Sequence, residues 1–215
     1  MGIYKSVDGG KSWTSSAEGL KNNRYGWELR FAGKRIYLLC VRGWRGEEVI
    51  EGMLYYSDNQ AATWQEATMP DGVTAPSDLL IDPDDQDRMY LSCWPKHVNG
   101  SDSNGGVYVT PDGGKSWESC FDGRIRVFAG AFDPANSKTL YINTFQNGAY
   151  KSDDSGKTWN RISGYRFKWG HCPIPDPNNS GMLYLTTYGV SIYYGSVNST
   201  AEEYGKIENI PDTWW

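Results

Sequence analysis

Short apolar strings between turn residues recur along the chain and predict β-strands from end to end. Three share one make-up. Met89-Tyr90-Leu91, Leu140-Tyr141-Ile142 and Leu183-Tyr184-Leu185 each follow an Asp-Pro pair, at Asp82-Pro83, Asp133-Pro134 and Asp176-Pro177. Each Asp-Pro reads as the turn between an inner strand and its neighbour. In phase with these markers, strands are predicted at residues 27–31, 35–41, 53–57 and 63–67, then at 77–81, 88–93, 106–110 and 116–120. The next set falls at 127–132, 139–144, 149–152 and 158–162. A shorter set comes first, at 3–6 and 12–16, and three strands end the series at 168–173, 182–187 and 191–196. Residues 204–210, ahead of Trp214-Trp215, read as a weak edge strand or a disordered tail.

The polar residues repeat as well. Ser6-Val7-Asp8-Gly9-Gly10-Lys11-Ser12-Trp13 returns as Thr110-Pro111-Asp112-Gly113-Gly114-Lys115-Ser116-Trp117 and as Ser152-Asp153-Asp154-Ser155-Gly156-Lys157-Thr158-Trp159. Ser57-Asp58-Asn59-Gln60-Ala61-Ala62-Thr63-Trp64 is a worn copy, with Asn59 for Asp and Ala61 for Gly. The four tryptophans lie 51, 53 and 42 residues apart, and a four-stranded propeller blade takes roughly 40–50 residues. The fold class is therefore all-β, a β-propeller of four-stranded antiparallel blades, with about four to five blades present. The chain reads as one propeller domain or propeller segment: a partial blade at 1–20, blades at 24–69, 74–121, 125–163 and 166–198, and a tail at 201–215. Either the first strand pair completes the last blade, or the chain is an arc of a larger ring whose exposed edges drive self-association.

The repeated string has a physical reading. Its aspartate accepts bonds from backbone N–H groups of its own turn. The glycine two residues later supplies a conformation with φ > 0. The tryptophan opens the next strand and packs its ring beneath the turn. The string resembles the Asp-box, or BNR repeat, of sialidase-like β-propellers. That resemblance gives Asp8, Trp13, Asn59, Trp64, Asp112, Trp117, Asp154 and Trp159 a structural role at the outer rim, away from the ligand face.

Composition narrows the functional classes. The chain has 215 residues, enough for a substantial core. Its 21 basic and 26 acidic residues leave a net charge of -5 with no block of one sign, so neither a nucleic-acid nor an anionic-membrane surface is expected. No apolar run reaches the length of a membrane span. No secretory leader precedes the first predicted strand, and the chain reads as a piece of a longer extracellular or periplasmic protein. Cys40 and Cys93 fall at one strand position in successive repeats, as small buried residues do, and Cys120 and Cys172 complete the set of four. Without CxxC spacing and with 2 histidines, no metal site and no cofactor are predicted. Asn99-Gly100-Ser101, Asn178-Asn179-Ser180 and Asn198-Ser199-Thr200 match the glycosylation pattern.

Propeller geometry puts the links between second and third strands, and between blades, at the end opposite the repeated turns. These loops carry Arg42, Trp44, Trp94, His97, Arg124, Arg126, Phe145, Gln146, Arg166, Trp169, His171 and Tyr188, the predicted ligand-binding set. Flat rings stack on the apolar faces of sugars, and forked Arg donors bind hydroxyls and carboxylates. A glycan is the expected partner. The alternative use of single members, Trp27 and Trp169 above all, is filling gaps between blades. For catalysis, aligned inner strands bring Glu28 and Asp78 to equivalent positions in adjacent blades, with Glu47, Glu48 and Asp102 as loop alternatives. The competing reading pairs Glu28 and Asp78 with nearby arginines as structure.

The repeats, the Asp-Pro phase and the strings Thr144-Phe145-Gln146-Asn147-Gly148-Ala149-Tyr150 and Tyr165-Arg166-Phe167-Lys168-Trp169-Gly170-His171 resemble the bacterial glycosyl-hydrolase-like BNR-repeat proteins. These are related in architecture to xyloglucan-cleaving endoglucanases and to sortilin-type propellers. In the xyloglucan enzymes the cleft lies between two propellers, with one acidic residue from each. The resemblance therefore implies at most half of such a site here. It leaves three functions open: glycan recognition, a glycosidase, and a sortilin-like or assembly-factor-like protein-interaction propeller.

Overall fold

The computed structural model describes residues 2–21, 25–165, 169–189 and 191–199, and among them every regular element is a strand. The chain forms two compact units, Met1–Val127 and Phe128–Trp215. The first unit opens with a hairpin of β1 (Tyr4–Lys5) and β2 (Thr14–Ser15). A four-stranded sheet follows, built from β3 (Gly26–Ala32), β4 (Arg35–Cys40), β7 (Met53–Ser57) and β8 (Gln65–Glu66), while β5 (Gly43–Arg45) and β6 (Glu48–Ile50) form a separate ribbon between β4 and β7. The next sheet repeats this plan. It uses β9 (Pro76–Ile81), β10 (Met89–Cys93), β13 (Gly106–Thr110) and β14 (Glu118–Phe121), with the ribbon β11 (Lys96–Val98) and β12 (Ser101–Ser103) inserted.

The second unit has a four-stranded sheet of β15 (Val127–Asp133), β16 (Asn136–Thr144), β17 (Ala149–Ser152) and β18 (Asn160–Arg161). Its last sheet has three strands, β19 (Gly170–Pro175), β20 (Met182–Thr187) and β21 (Ile192–Ser196). Every strand of the predicted series is present. The expected tail strand at 204–210 lies outside the described residues.

Each sheet is an antiparallel meander, so its core is assembled between sheets. Tyr37, Leu39 and Leu54 pack with Leu79, Met89, Leu91 and Cys93 of the following sheet. On the opposite face of the first full sheet, Leu38, Cys40, Tyr55 and Trp64 pack with Leu20 and Ile3. In the second unit Tyr141, Ala149 and Ile162 meet Leu183 and Leu185. Each fully buried Leu adds about 2 kcal/mol of apolar burial. Cys40 and Cys93 both end a second strand as buried free thiols, and burial pushes the Cys40 thiol up to about 12.

The two classes of turn at one end of the sheets follow the predicted chemistry. Asp82, Asp133 and Asp176 each accept the N–H two residues on, from Asp84, Ala135 and Asn178, all at 2.9 Å. In the third-to-fourth-strand turns, Asp112 accepts Ser116 N at 2.9 Å and Ser116 Oγ at 2.6 Å, while Thr110 Oγ1 accepts Gly114 N at 3.0 Å. Asp8 and Asp154 repeat these bonds with Ser12 and Thr158. Asn59 keeps the geometry without the charge, since its Oδ1 accepts Thr63 N at 3.0 Å and its Nδ2 donates to Thr63 Oγ1 at 2.8 Å.

The tryptophans divide into two kinds. The indole N–H groups of Trp13 and Trp159 donate to Gly10 and Gly156 of their own turns, at 3.2 and 3.0 Å. Those of Trp64 and Trp117 instead reach back to Ser16 O at 2.7 Å and Thr68 O at 3.0 Å, where the preceding sheet ends.

One difference from the sequence reading concerns residues 42–52 and 94–105, expected as loops. Each holds a two-stranded ribbon closed by a two-residue turn. Asn99 and Gly100 both have positive φ, 52° and 81°, as a type I′ hairpin turn requires. Gly46, at φ 63°, leads the other turn. The Asn-Gly pair is thus a turn signal inside what reads as a glycosylation pattern.

Candidate ligand-binding site

In the first unit the two ribbons leave the sheets at the end opposite the Asp turns, and the Glu51 carboxylate lies between a cation at the first ribbon and one on the second. Arg42 Nη2 donates to Thr74 Oγ1 at 2.9 Å, and its Nε lies 3.5 Å from Glu51 Oε2. The other Glu51 oxygen, Oε1, is 3.5 Å from Lys96 Nζ on the second ribbon. On that ribbon His97 Nδ1 and Asp102 Oδ1 are 2.8 Å apart across the β11–β12 pair. The Arg126 guanidinium sits over the Trp94 indole, 4.8 Å from the ring centre. Burial there lowers the Arg126 pKa, Asp102 works against that shift, and the nearby positive Arg42 adds to it. Arg42, Trp94 and Arg126 of the predicted set therefore share one locality with Asp102.

Trp44, 62% exposed on β5, presents its ring to solvent while its carbonyl accepts the Tyr25 hydroxyl at 2.7 Å. Arg124 is committed elsewhere. It forks onto Asp122 through Nε at 3.0 Å and Nη2 at 2.6 Å, and these bonds hold Asp122 at about 2.

In the second unit the loop residues gather by stacking. Phe128 and His171 ring centres are 4.6 Å apart, and Tyr188 lies 5.7 Å from each. Phe128 carries no loop signal, because it stands inside β15 like any strand residue. Trp169, at φ 62°, is held by its backbone: its N–H donates to Phe145 O and its carbonyl accepts Tyr188 N at 2.7 Å. Phe145 is buried and Gln146 is exposed. Arg166 lies outside the described residues.

The carboxylates of the two aligned inner strands do come together. Arg30 Nη2 contacts Glu28 Oε1 and, at 2.9 Å, Asp78 Oδ1, while Arg30 Nε donates to Leu79 O at 2.8 Å. Burial, followed by the charge of Asp78 and a hydrogen bond to it, pushes Glu28 up to about 8. Carboxyl groups in direct hydrogen bond are closer than the roughly 5–9.5 Å that glycosidases place across the scissile bond. With Asp78 2% exposed, the arrangement matches the arginine-paired alternative. Of the loop alternatives, Glu47 and Glu48 are exposed at the first ribbon and Asp102 is bound to His97. A hollow of about 280 Å³ beside that ribbon is lined by Lys21, Glu48, Val49, Ile50, Glu51, Met53, Tyr55 and Glu66. Among the described residues no cluster of His, Cys, Asp and Glu is arranged to hold a metal ion.

Antiparallel four-stranded sheets, closed by repeated Asp turns and packed on one another by apolar faces, define an Asp-box β-propeller. The family model described as "Sortilin, neurotensin receptor 3" (Sortilin-Vps10) matches residues 2–149, and the chain belongs to that family. A xyloglucanase of Hypocrea jecorina is 26% identical over 137 residues, covering 56% of this chain and 16% of the relative. An oligoxyloglucan-reducing end-specific xyloglucanase of Emericella nidulans is 32% identical over 108 residues, covering 43% and 13%. Among solved structures, a GH74 xyloglucanase from Xanthomonas campestris superposes with a TM-score of 0.65 at 17% identity, over 91% of this chain and 33% of that one. The chain is thus a propeller of the glycosyl-hydrolase-like branch, and it spans 16% or less of the length of these two curated relatives.

Proposed function

We propose that this chain is a carbohydrate-recognising propeller segment of an extracellular or periplasmic protein. It binds a glycan at the ribbon end of the first unit, opposite the Asp turns. The observation that carries the reading is the grouping of Arg42, Trp94 and Arg126, in a unit whose first ribbon also carries the exposed ring of Trp44. The indole fixes the plane of a guanidinium stacked on it, and planar guanidinium donors suit hydroxyls and carboxylates. An exposed indole offers a flat apolar surface to a pyranose face. The curated relatives are xyloglucanases, so xyloglucan oligosaccharides are the first ligands to try. Recognition is proposed ahead of turnover, because Glu28 and Asp78 bond to each other and to Arg30.

Isothermal titration against xyloglucan fragments and a wider glycan panel tests this. Heat of binding that Trp44→Ala weakens about tenfold, the loss of one stacked ring, supports it. Silence across the panel overturns it. Family membership favours a second reading, recognition of a peptide. Titration with peptides separates the two.

A further inference from the structure

The two ribbons of the first unit belong to its two four-stranded sheets, and charge at their end is unevenly shared. Glu51, at the exit of the first ribbon, has one carboxylate oxygen 3.5 Å from Arg42 Nε and the other 3.5 Å from Lys96 Nζ. Asp102 is bonded to His97 at 2.8 Å, and its charge also acts on Arg126. Among the described residues, these contacts set three permanent cations, Arg42, Lys96 and Arg126, around two carboxylates. The unit's other ion pairs run the opposite way. Arg30 lies between Glu28 and Asp78, Arg88 faces Asp82 and Asp85, and Arg35 has Asp58.

The two guanidiniums are held in place. Arg42 is partly buried, and its Nη2 donates to Thr74 Oγ1 at 2.9 Å. Arg126 lies over the Trp94 indole. The backbone fixes both halves of that stack. Trp94 N–H donates to Ala75 O at 2.9 Å, and Ile125 O, next to Arg126, accepts Gly106 N–H at 2.9 Å. Arg126 is exposed, so solutes reach it. Arg42 is near enough for its charge to lower the Arg126 pKa. Like charges held near each other repel, and a bound anion relieves that repulsion. A guanidinium whose plane is set presents paired donors that match a carboxylate or a sulfate.

Granted the glycan reading proposed above, on which this rests, we infer that the sugar taken at this end is acidic. It carries an oxyanion, the carboxylate of a uronic acid or a sulfate ester, and places it at Arg126 and Arg42. The two arginines are then specificity-determining residues. A neutral sugar of the same shape stacks on an indole equally well, so the charge is what separates the two ligands.

Titration calorimetry on the full chain tests this with trigalacturonate, a sulfated trisaccharide and neutral cellotriose. The expected result is an acidic sugar bound about tenfold or more tighter than cellotriose, the gain of one charge-assisted pair. The advantage shrinks as salt is raised. Arg126→Met keeps an apolar stem over Trp94 and removes the charge, and it brings the acidic and neutral affinities within about twofold of each other. Asp102→Asn, on the exposed ribbon, removes one of the two carboxylates and widens the acidic preference. Melting curves confirm that both variants are folded. Preference for trigalacturonate alone makes the anion a carboxylate, preference for the sulfated sugar alone makes it a sulfate ester, and either supports the inference. Cellotriose bound as tightly as both acidic sugars overturns it and leaves the glycan reading standing. Silence of every sugar removes both. Inorganic sulfate or an acidic peptide bound as tightly as the acidic sugar also overturns it, because the sugar then adds nothing.

Discussion

At one end of the sheets, Asp8, Asp112 and Asp154 close their turns with the same bonds to a Ser or Thr four residues on, and Asn59 copies them without a charge. At the other end of the first unit, the two ribbons share a plan but no chemistry. One carries Trp44 at its start and Glu51 at its exit, and the other carries Lys96, His97 and Asp102. The first end repeats because every sheet must solve one problem, a tight reversal with its backbone N–H groups satisfied. The second end varies because the sheet is already held, and side chains there are not constrained by the reversal. Repetition within the chain thus separates residues that close the turns from residues released from that task.

The sharpest test sets two tryptophans against each other. Trp64 is 3% exposed and bonded to Ser16, and Trp44 is 62% exposed. Trp64→Ala is expected to cost about 3–5 kcal/mol, read by denaturant unfolding, whereas Trp44→Ala should stay within about 0.5 kcal/mol. Comparable losses at both positions would erase the division.

A smaller effect is expected at Glu28, which lies between the two ends in the inner strand. Its folded pKa is raised from 4.5 to about 8, so its stabilising contribution is complete below 4.5 and fades as the pH climbs through 8. The wild type should lose on the order of 2–4 kcal/mol relative to Glu28→Gln across that window. Thermal melts in a pH series will show it, and parallel profiles for the two proteins would refute the shift.

Arg126→Ala should cost only about 0.5–1 kcal/mol of stability, the cation–π term, while weakening glycan binding about tenfold by titration calorimetry, the loss of one charge-assisted donor pair. The smallest neutral-pH effect is expected for Asp154→Asn, since Asn59 already makes the equivalent bonds. Bonds from the Thr158 hydroxyl and N–H hold Asp154 at about 2, against 3.8 ordinarily. Its contribution is present above 3.8 and lost as the pH falls through 2. Melting curves of Asp154→Asn should match the wild type near neutrality and lack that acid limb.

Sequence alone revealed the repeating plan because its carriers are local. An Asp, the residue two on and the residue four on lie within one turn, so their spacing is visible without any tertiary knowledge. The strands of the sheets follow from the same phase. The ribbons escaped notice because β5, β6, β11 and β12 are three residues each, too short for periodicity, although Asn99-Gly100 marked one turn. The candidate site was legible as a set of loop residues and not as an arrangement. That Arg126 stacks on Trp94, and that Glu51 lies between Arg42 and Lys96, depends on side-chain directions across ribbons of distant sequence. Arg30, two residues from Glu28 and on the same face of β3, was the signal that the carboxylate pair had a cation of its own.

The indoles of Trp64 and Trp117 find their acceptors 48 and 49 residues earlier in the chain. On a ribosome the carbonyls of Ser16 and Thr68 are therefore made, and able to settle, before the donors that seek them emerge. The two sheets that carry these indoles each meet a latch point already in place, so their assembly has a built-in direction in time, from the earlier strands to the later.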